Sequence, residues 1–171
     1  MKTFPYLKEF VYGGIDGSVT TFAVVAGATG ANMSSGVIIV LGFANLIADG
    51  FSMSVGNYLS EKSAMASNKE LSIAPGRKSA FQTASATFFS FIAMGFIPIF
   101  VYVLGYTKAI GMKHLFVIST TLTFSTFIFI GFLRSYVAHT SIIKSIGETL
   151  FLGGIASILS YYVGTALQNM L

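Results

Sequence analysis

Residues 42–60 read "GFANLIADGFSMSVGNYLS". At about 100° per residue, Gly42, Asn45, Asp49, Ser52, Met53, Gly56 and Ser60 fall within roughly one 100° arc. The opposite side carries Phe43, Ile47, Phe51, Val55 and Tyr58. The stretch predicts an α-helix with one polar stripe and one face suited to lipid. Asp49 is its only charged residue.

Upstream, residues 13–30 read "GGIDGSVTTFAVVAGATG", again with a single acid, Asp16, and no Lys or Arg. Gly13, Asp16, Gly17, Thr20, Val24, Gly27 and Ala31 share a comparable arc. Small residues at four-residue spacing let membrane helices approach closely.

Composition widens this to the whole chain. Of 171 residues, 54% are hydrophobic and 9% charged, with mean hydropathy +0.77. Soluble domains carry about 25% charged residues, so this chain belongs to the membrane class. It has no cysteine, which excludes disulfides, thiolate metal sites and Cys nucleophiles.

Five apolar runs reach the roughly 20 residues that cross a bilayer as a helix. They lie at about 10–31, 35–60, 79–104, 115–133 and 149–167. The expectation is an all-α membrane protein, residues 1–171 forming a single transmembrane domain without a separate soluble one. Pro98 is expected to kink the third span, which membrane helices tolerate. Tyr6, Tyr12, Tyr58, Tyr102, Tyr106 and Tyr136 mark span ends, as in an interfacial belt. A removable leader is disfavoured, because Asp16 would interrupt its apolar region. The likeness of "GGIDGS" at 13 to "GGIASI" at 153 is read as chance.

Charge sets the orientation. Lys2, Lys8, Lys62, Lys69, Arg77, Lys78, Arg134 and Lys144 fall on one side of the five spans, against Lys108 and Lys113 on the other. The positive-inside rule places the N-terminus in the cytoplasm and the C-terminus outside. The same bias accounts for the net charge of +4 without a nucleic acid; the lipid bilayer is the expected partner.

Two of the six acids, Asp16 and Asp49, lie inside spans. An Asp at the centre of a membrane helix costs about 2.5–3.5 kcal/mol, so such a residue normally faces protein or water and marks a functional site. A short turn near Asn32–Ser34 makes the first two spans antiparallel. Asp16 then lies about 9 Å and Met53 about 10 Å from the cytoplasmic ends of their spans, one level. Asp49 lies about 6 Å further outward, opposite Thr20. Carboxylate, thioether and carboxylate on one track suit a divalent cation of borderline softness, because the sulfur adds a donor that Mg²⁺ and Ca²⁺ do not want. Fe²⁺ and Mn²⁺ fit, with Co²⁺ and Zn²⁺ behind them. A carboxylate that gives up its metal there can take a proton. Asn45 is a further candidate metal residue, Thr20 and Ser52 are candidate proton-path residues, and Asn45 and Ser52 can equally serve as interhelical hydrogen-bonders beside the track. Glu61 is expected at its cytoplasmic mouth.

Elsewhere the expectations are structural. Glu148 is expected to complement the N-terminus of the fifth helix. His114 and His139 should sit at opposite membrane edges. Thr120, Thr121, Thr123, Ser125 and Thr126 should bond their own helix backbone, and "GGIASILS" should form a close-packing face.

At "GGIDGSVTTFAVVAGATGA" and "GFANLIADGFSMSVGNYLSEKS" the sequence resembles the vacuolar iron transporter family, which includes the plant nodulin-like transporters. The Asp-Gly of the first span, "AGATGA" at its end, the "SMSVGNYL" run and the following Lys62-Ser63 carry the resemblance, over about residues 11–63. The five-span layout extends it to the whole chain. It implies a five-helix protomer and a homodimer with the ion path between the first helices. It further implies a secondary transporter exporting Fe²⁺ or Mn²⁺ from the cytoplasm by proton antiport, without a resident cofactor. The family's transport-site Asp and Met fall on Asp16 and Met53. Its vacuolar members carry a Glu where this chain has Asn45, and Asp49, one turn away, is the candidate substitute. They also carry a long Glu-rich insertion between the second and third spans; here that connection is short and holds Glu61 and Glu70.

Two other readings compete. A non-transporting membrane subunit or metal sensor would use the same residues without flux. An intramembrane aspartyl protease would pair Asp16 with Asp49, but lacks the Gly-x-Gly-Asp arrangement. The short form suggests the plasma membrane of a prokaryotic cell.

Overall fold

A computed structural model describes residues 5–67, 78–107 and 114–170. They form five helices and no strand: α1 (Leu7–Gly30), α2 (Ser35–Ser67), α3 (Ala80–Tyr106), α4 (Leu115–Ala138) and α5 (Ile142–Met170). Each is long and apolar enough to cross a bilayer. The chain is an all-α, multi-pass integral membrane protein.

The helices outrun the spans read from hydropathy. α2 continues seven residues past Ser60, and α5 begins at Ile142 rather than near residue 149. The α2 extension, "EKSAMAS", is polar enough to leave the apolar window yet contains no helix breaker. Glu148 is consequently not at the start of α5; its carboxylate meets Arg134 of α4 at 2.7 Å instead.

Local signals explain the ends. α1 stops where Asn32 takes a left-handed conformation (φ 52°), which Asn tolerates better than most residues. The chain then turns through Met33 N–H donating to Ala28 O at 3.0 Å. α3 begins with a capping box, Ser79 Oγ accepting from Gln82 N–H and Gln82 Oε1 from Ser79 N–H. Pro98 is buried within α3, and its carbonyl accepts from Ser119 Oγ of α4 at 2.9 Å.

α1 is the central element and touches the other four. Its phenyl ring at Phe22 is 1% exposed and stacks on Phe116 of α4, with centroids 6.3 Å apart. Gly13 and Gly17 admit α3: added Cβ atoms would strike the carbonyl oxygens of Thr87 and Phe91. Gly27 and Gly30 admit α5, at Ser160 and Tyr161. The glycine stripe therefore serves α3 and α5, not α2. Hydroxyls satisfy carbonyls in the apolar interior. Ser160 donates to Ala23 O and Ser90 to Phe10 O between helices, while Thr120, Thr121, Thr123, Ser125 and Thr126 of α4 bond their own helix as expected. Gly153 of "GGIASILS" lies against the Phe127 ring.

Contacts fix the relative directions. Glu9 meets Lys78 where α1 and α3 begin, and Thr29 meets Tyr102 toward their ends. Thr165 of α5 donates to Gly30 O at the α1 end. Helices α1, α3 and α5 thus run one way, α2 and α4 the other. All five described basic residues, Lys8, Lys62, Lys78, Arg134 and Lys144, fall at one end of the bundle. Lys2, Lys69, Arg77, Lys108, Lys113, Glu70 and the Pro75-Gly76 turn lie outside the described residues. His114 and His139 flank opposite ends of α4.

Candidate functional site

α1 and α2 touch, but each packs more extensively on α3 than on the other. α2 buries Ile38, Gly42, Leu46 and Gly50, every fourth position, and the last three meet Ile99, Gly95 and Phe91 of α3. Further along, Ser54 Oγ donates to Ala84 O at 2.9 Å and Asn57 Nδ2 to Thr87 Oγ1 at 2.7 Å. The polar stripe lies on the flank of that contact. Asp49, Ser52, Gly56 and Ser60 are exposed, and Asn45 and Met53 are half-buried. A Cβ at Gly56 would meet nothing within 4 Å.

Levels can be transferred through α3. Thr87 touches Gly13 of α1 and Asn57 of α2; Phe91 touches Gly17 of α1 and Gly50 of α2. Met53 lies between Asn57 and Gly50, as Asp16 lies between Gly13 and Gly17. Asp16 is one residue from Gly17, whereas Met53 is three residues from Gly50 and Asp49 one residue beyond it, so Asp16 falls between the levels of Met53 and Asp49, about 3 Å from each at 1.5 Å per residue.

Asp16 is half-buried, and its carboxylate is within electrostatic reach of Asp49. Neither side-chain carboxylate has a hydrogen bond or ion pair to the described residues. Thr20 does not serve Asp49: its hydroxyl donates to Asp16 O at 2.8 Å, one turn back in its own helix. Ser52 is exposed and, among the described residues, bonds nothing. Asn45 likewise makes no interhelical bond there; its buried Nδ2 has no acceptor. Met53 packs against the apolar core.

Toward the basic end, a cavity of about 260 Å³ is lined by residues of α1, α2 and α3, Glu61 among them. From the sequence alone no site role falls to Glu9, Tyr12, Asn57 or Thr83, which also line it. Glu9 is 7% exposed and bound to Lys78. Its signal was available, because Glu9, Tyr12 and Asp16 stand at i, i+3 and i+7, one helix face.

Among the described residues no three His, Cys, Asp or Glu side chains gather as a metal centre. The donors instead run in a row: carboxylates at Asp16 and Asp49, with a thioether at Met53. Such a row can hold a cation in passing without enclosing it.

The chain is similar to known proteins. The sequence profile described as the VIT family matches residues 7–70 and 64–165. Vacuolar iron transporter 1 of Arabidopsis thaliana is 24% identical over 220 residues, taking in 95% of this chain and 86% of that protein. A vacuolar iron transporter of Toxoplasma gondii is 49% identical over 55 residues, 32% of this chain and 18% of that protein. One of Plasmodium berghei is 40% identical over 55 residues, 32% of this chain and 20% of that protein. The chain thus matches about a fifth of the length of the latter two.

Proposed function

The chain belongs to the VIT family, and on that premise we propose that it is a secondary transporter exporting Fe²⁺ or Mn²⁺ from the cytoplasm in exchange for protons. One observation carries the reading: two carboxylates in electrostatic contact on α1 and α2, at or next to the level of Met53, with no cation of the described chain beside them. Oxygen and sulfur donors together favour a borderline divalent ion over Mg²⁺ or Ca²⁺. Co²⁺ and Zn²⁺ are lesser candidates by the same chemistry. Asp16, Asp49 and Met53 hold the ion, the Asn45 carbonyl oxygen adds to them, and Glu61 stands at the mouth. Thr20 and Ser52 line the way.

The basic end faces the cytoplasm in this reading. The plasma membrane of a prokaryotic cell is its host, supported by the short α2–α3 connection. A second copy completes the site. Asp49, Ser52 and Gly56 lie on the surface of one chain, beside half-buried Asp16. Leaving an Asp to lipid there costs about 2.5–3.5 kcal/mol, so a homodimer that covers the α1–α2 seam relieves that cost. The chain is free of cysteine, which makes Gly56→Cys a clean cross-linking probe of that arrangement.

The decisive experiment is metal influx into liposomes under a pH gradient, with Fe²⁺, Mn²⁺, Co²⁺ and Zn²⁺ supplied separately. Asp16→Ala is expected to abolish influx while the dimer still forms. Normal influx in that variant places the site elsewhere. No flux in the wild-type chain, with metal still bound, favours the sensor. The Asp16–Asp49 proximity also meets one need of an aspartyl protease; cleavage of a membrane peptide, lost in Asp49→Asn, would favour that reading. The names of the relatives speak for transport.

A further inference from the structure

The two helices that carry the transport residues present two ladders. On α1, Glu9 and Tyr12 lead up to Asp16; on α2, Glu61, Asn57, Met53 and Asp49 stand at steps of four. The lower rungs, Glu9, Tyr12, Asn57 and Glu61, line the 260 Å³ cavity at the basic end, joined by Lys8 and by Thr83 of α3. Asp16 is seven residues above Glu9, about 10 Å.

At the foot of the α1 ladder Glu9 is already occupied. Lys78 Nζ lies 2.7 Å from one carboxylate oxygen and 2.8 Å from the other. Lys78 immediately precedes the Ser79 cap of α3, so its backbone is anchored while its side chain, 26% exposed, retains an outlet. Its ammonium also stands 4.6 Å from the centre of the Tyr6 ring, a second place that suits a cation.

Resting on the transport reading above, we propose that Lys78 is a tethered counter-ion that holds the Glu9 carboxylate until a divalent cation displaces it, making Glu9 an entry ligand on the way to Asp16. Lys8 and Glu61 line the same cavity as Glu9. A monovalent ion gains nothing by replacing an ammonium of equal charge that is already desolvated. A divalent ion doubles the charge facing Glu9 and draws on Glu61 as well. The exchange therefore selects for charge at the mouth, before softness is tested at Met53. A lysine suits the task, because its ammonium is a compact point charge on a flexible stem, whereas a guanidinium fork grips a carboxylate in two places.

The test uses the full chain and Mn²⁺ as the probe, with equilibrium binding read from Mn²⁺-dependent thermal stabilisation in detergent and half-saturation from liposome influx. Lys78→Met is expected to bind Mn²⁺ at least tenfold tighter and to lower the half-saturating concentration by a similar factor without raising the maximal rate. Glu9→Gln in the Lys78→Met background removes that gain. Lys78→Arg raises half-saturation severalfold and leaves the maximal rate. Unchanged or weaker binding in Lys78→Met overturns the proposal, as does a gain that survives Glu9→Gln; a pair that only ties α1 to α3 gives those results. If Lys78→Met does not fold, Lys78→Arg decides, and unaltered half-saturation overturns. Asp16→Asn separates this proposal from the transport reading. It is expected to stop influx yet keep the tighter binding of Lys78→Met. Absent influx in the wild-type chain defeats transport, while the binding measurements still judge the lock.

Discussion

Gly17→Ala tests the packing on which the site stands. A methyl group there would strike the Phe91 carbonyl oxygen and lie 2.9 Å from both Phe91 C and Cα. These are backbone atoms of a helix, so no side chain can turn away. Ordinary contact begins at 3.4 Å, so α1 and α3 must part by at least about 0.5 Å. Overpacking of this kind costs about 1–3 kcal/mol. Alanine returns up to about 1 kcal/mol through helix propensity. With that gain in full, the net expectation is a loss of about 0–2 kcal/mol, and of about 1–3 kcal/mol against a variant with the same gain and no clash. Gly147→Ala is the matched control: a Cβ there meets nothing within 4 Å, so only the propensity gain of up to about 1 kcal/mol remains. Thermal unfolding in detergent, followed by circular dichroism, should rank Gly147→Ala at or above the wild type and Gly17→Ala clearly below Gly147→Ala. Metal influx should fall in Gly17→Ala alone, because the residue displaced with it is Asp16. Equal stability of the two variants would refute the account of the α1–α3 contact.

Asn57→Ala removes the 2.7 Å bond to Thr87, which keeps its own bond to Thr83 O at 3.0 Å. The expected loss is about 0.6–1.7 kcal/mol, the range of such bonds in membranes, read by the same melting experiment. Met53→Leu conserves volume and should cost less than about 1.5 kcal/mol. In competition flux its preference for Fe²⁺, Co²⁺ and Zn²⁺ over Mn²⁺ should fall, and an unaltered ranking would make Met53 a core residue only.

Hydropathy revealed five helices because each apolar run is long and each basic residue lies at a run's edge. It misjudged ends where helix and bilayer part company. α2 runs on through "EKSAMAS" because helix formation does not require lipid. α5 starts early because Lys144 and Glu148 dilute the apolar window without breaking the helix, Glu148 being paired with Arg134. The glycine stripe announced a close approach but not its partner. Small residues carry no label for the helix they admit, and Gly17 could as well have met α2 as α3. Glu9 was hidden for a related reason. A charge at the foot of an apolar run looks like a solvated end until Lys78, 69 residues away, is seen across it. Asp16 and Asp49 stood out because an uncompensated acid in an apolar run has no comparable disguise.

The site's register is set by a helix with no charge of its own. α3 has no Asp, Glu, Lys or Arg between Ala80 and Tyr106. Yet Thr87 joins Gly13 to Asn57, and Phe91 joins Gly17 to Gly50. The relative heights of Asp16, Met53 and Asp49 are inherited from those two contacts rather than from the α1–α2 interface, which is smaller. An open seam between α1 and α2 therefore does not imply a loose one. The donor groups can face an aqueous path or a second copy while their heights stay fixed from behind. Such an arrangement leaves the two carboxylates unpaired among the described residues and places the rigidity in the apolar packing against α3. Close packing and an unpaired carboxylate alternate along α1: Gly13 and Gly17, which bracket Asp16, bring its helix hard against α3 and hold Asp16 at a fixed height.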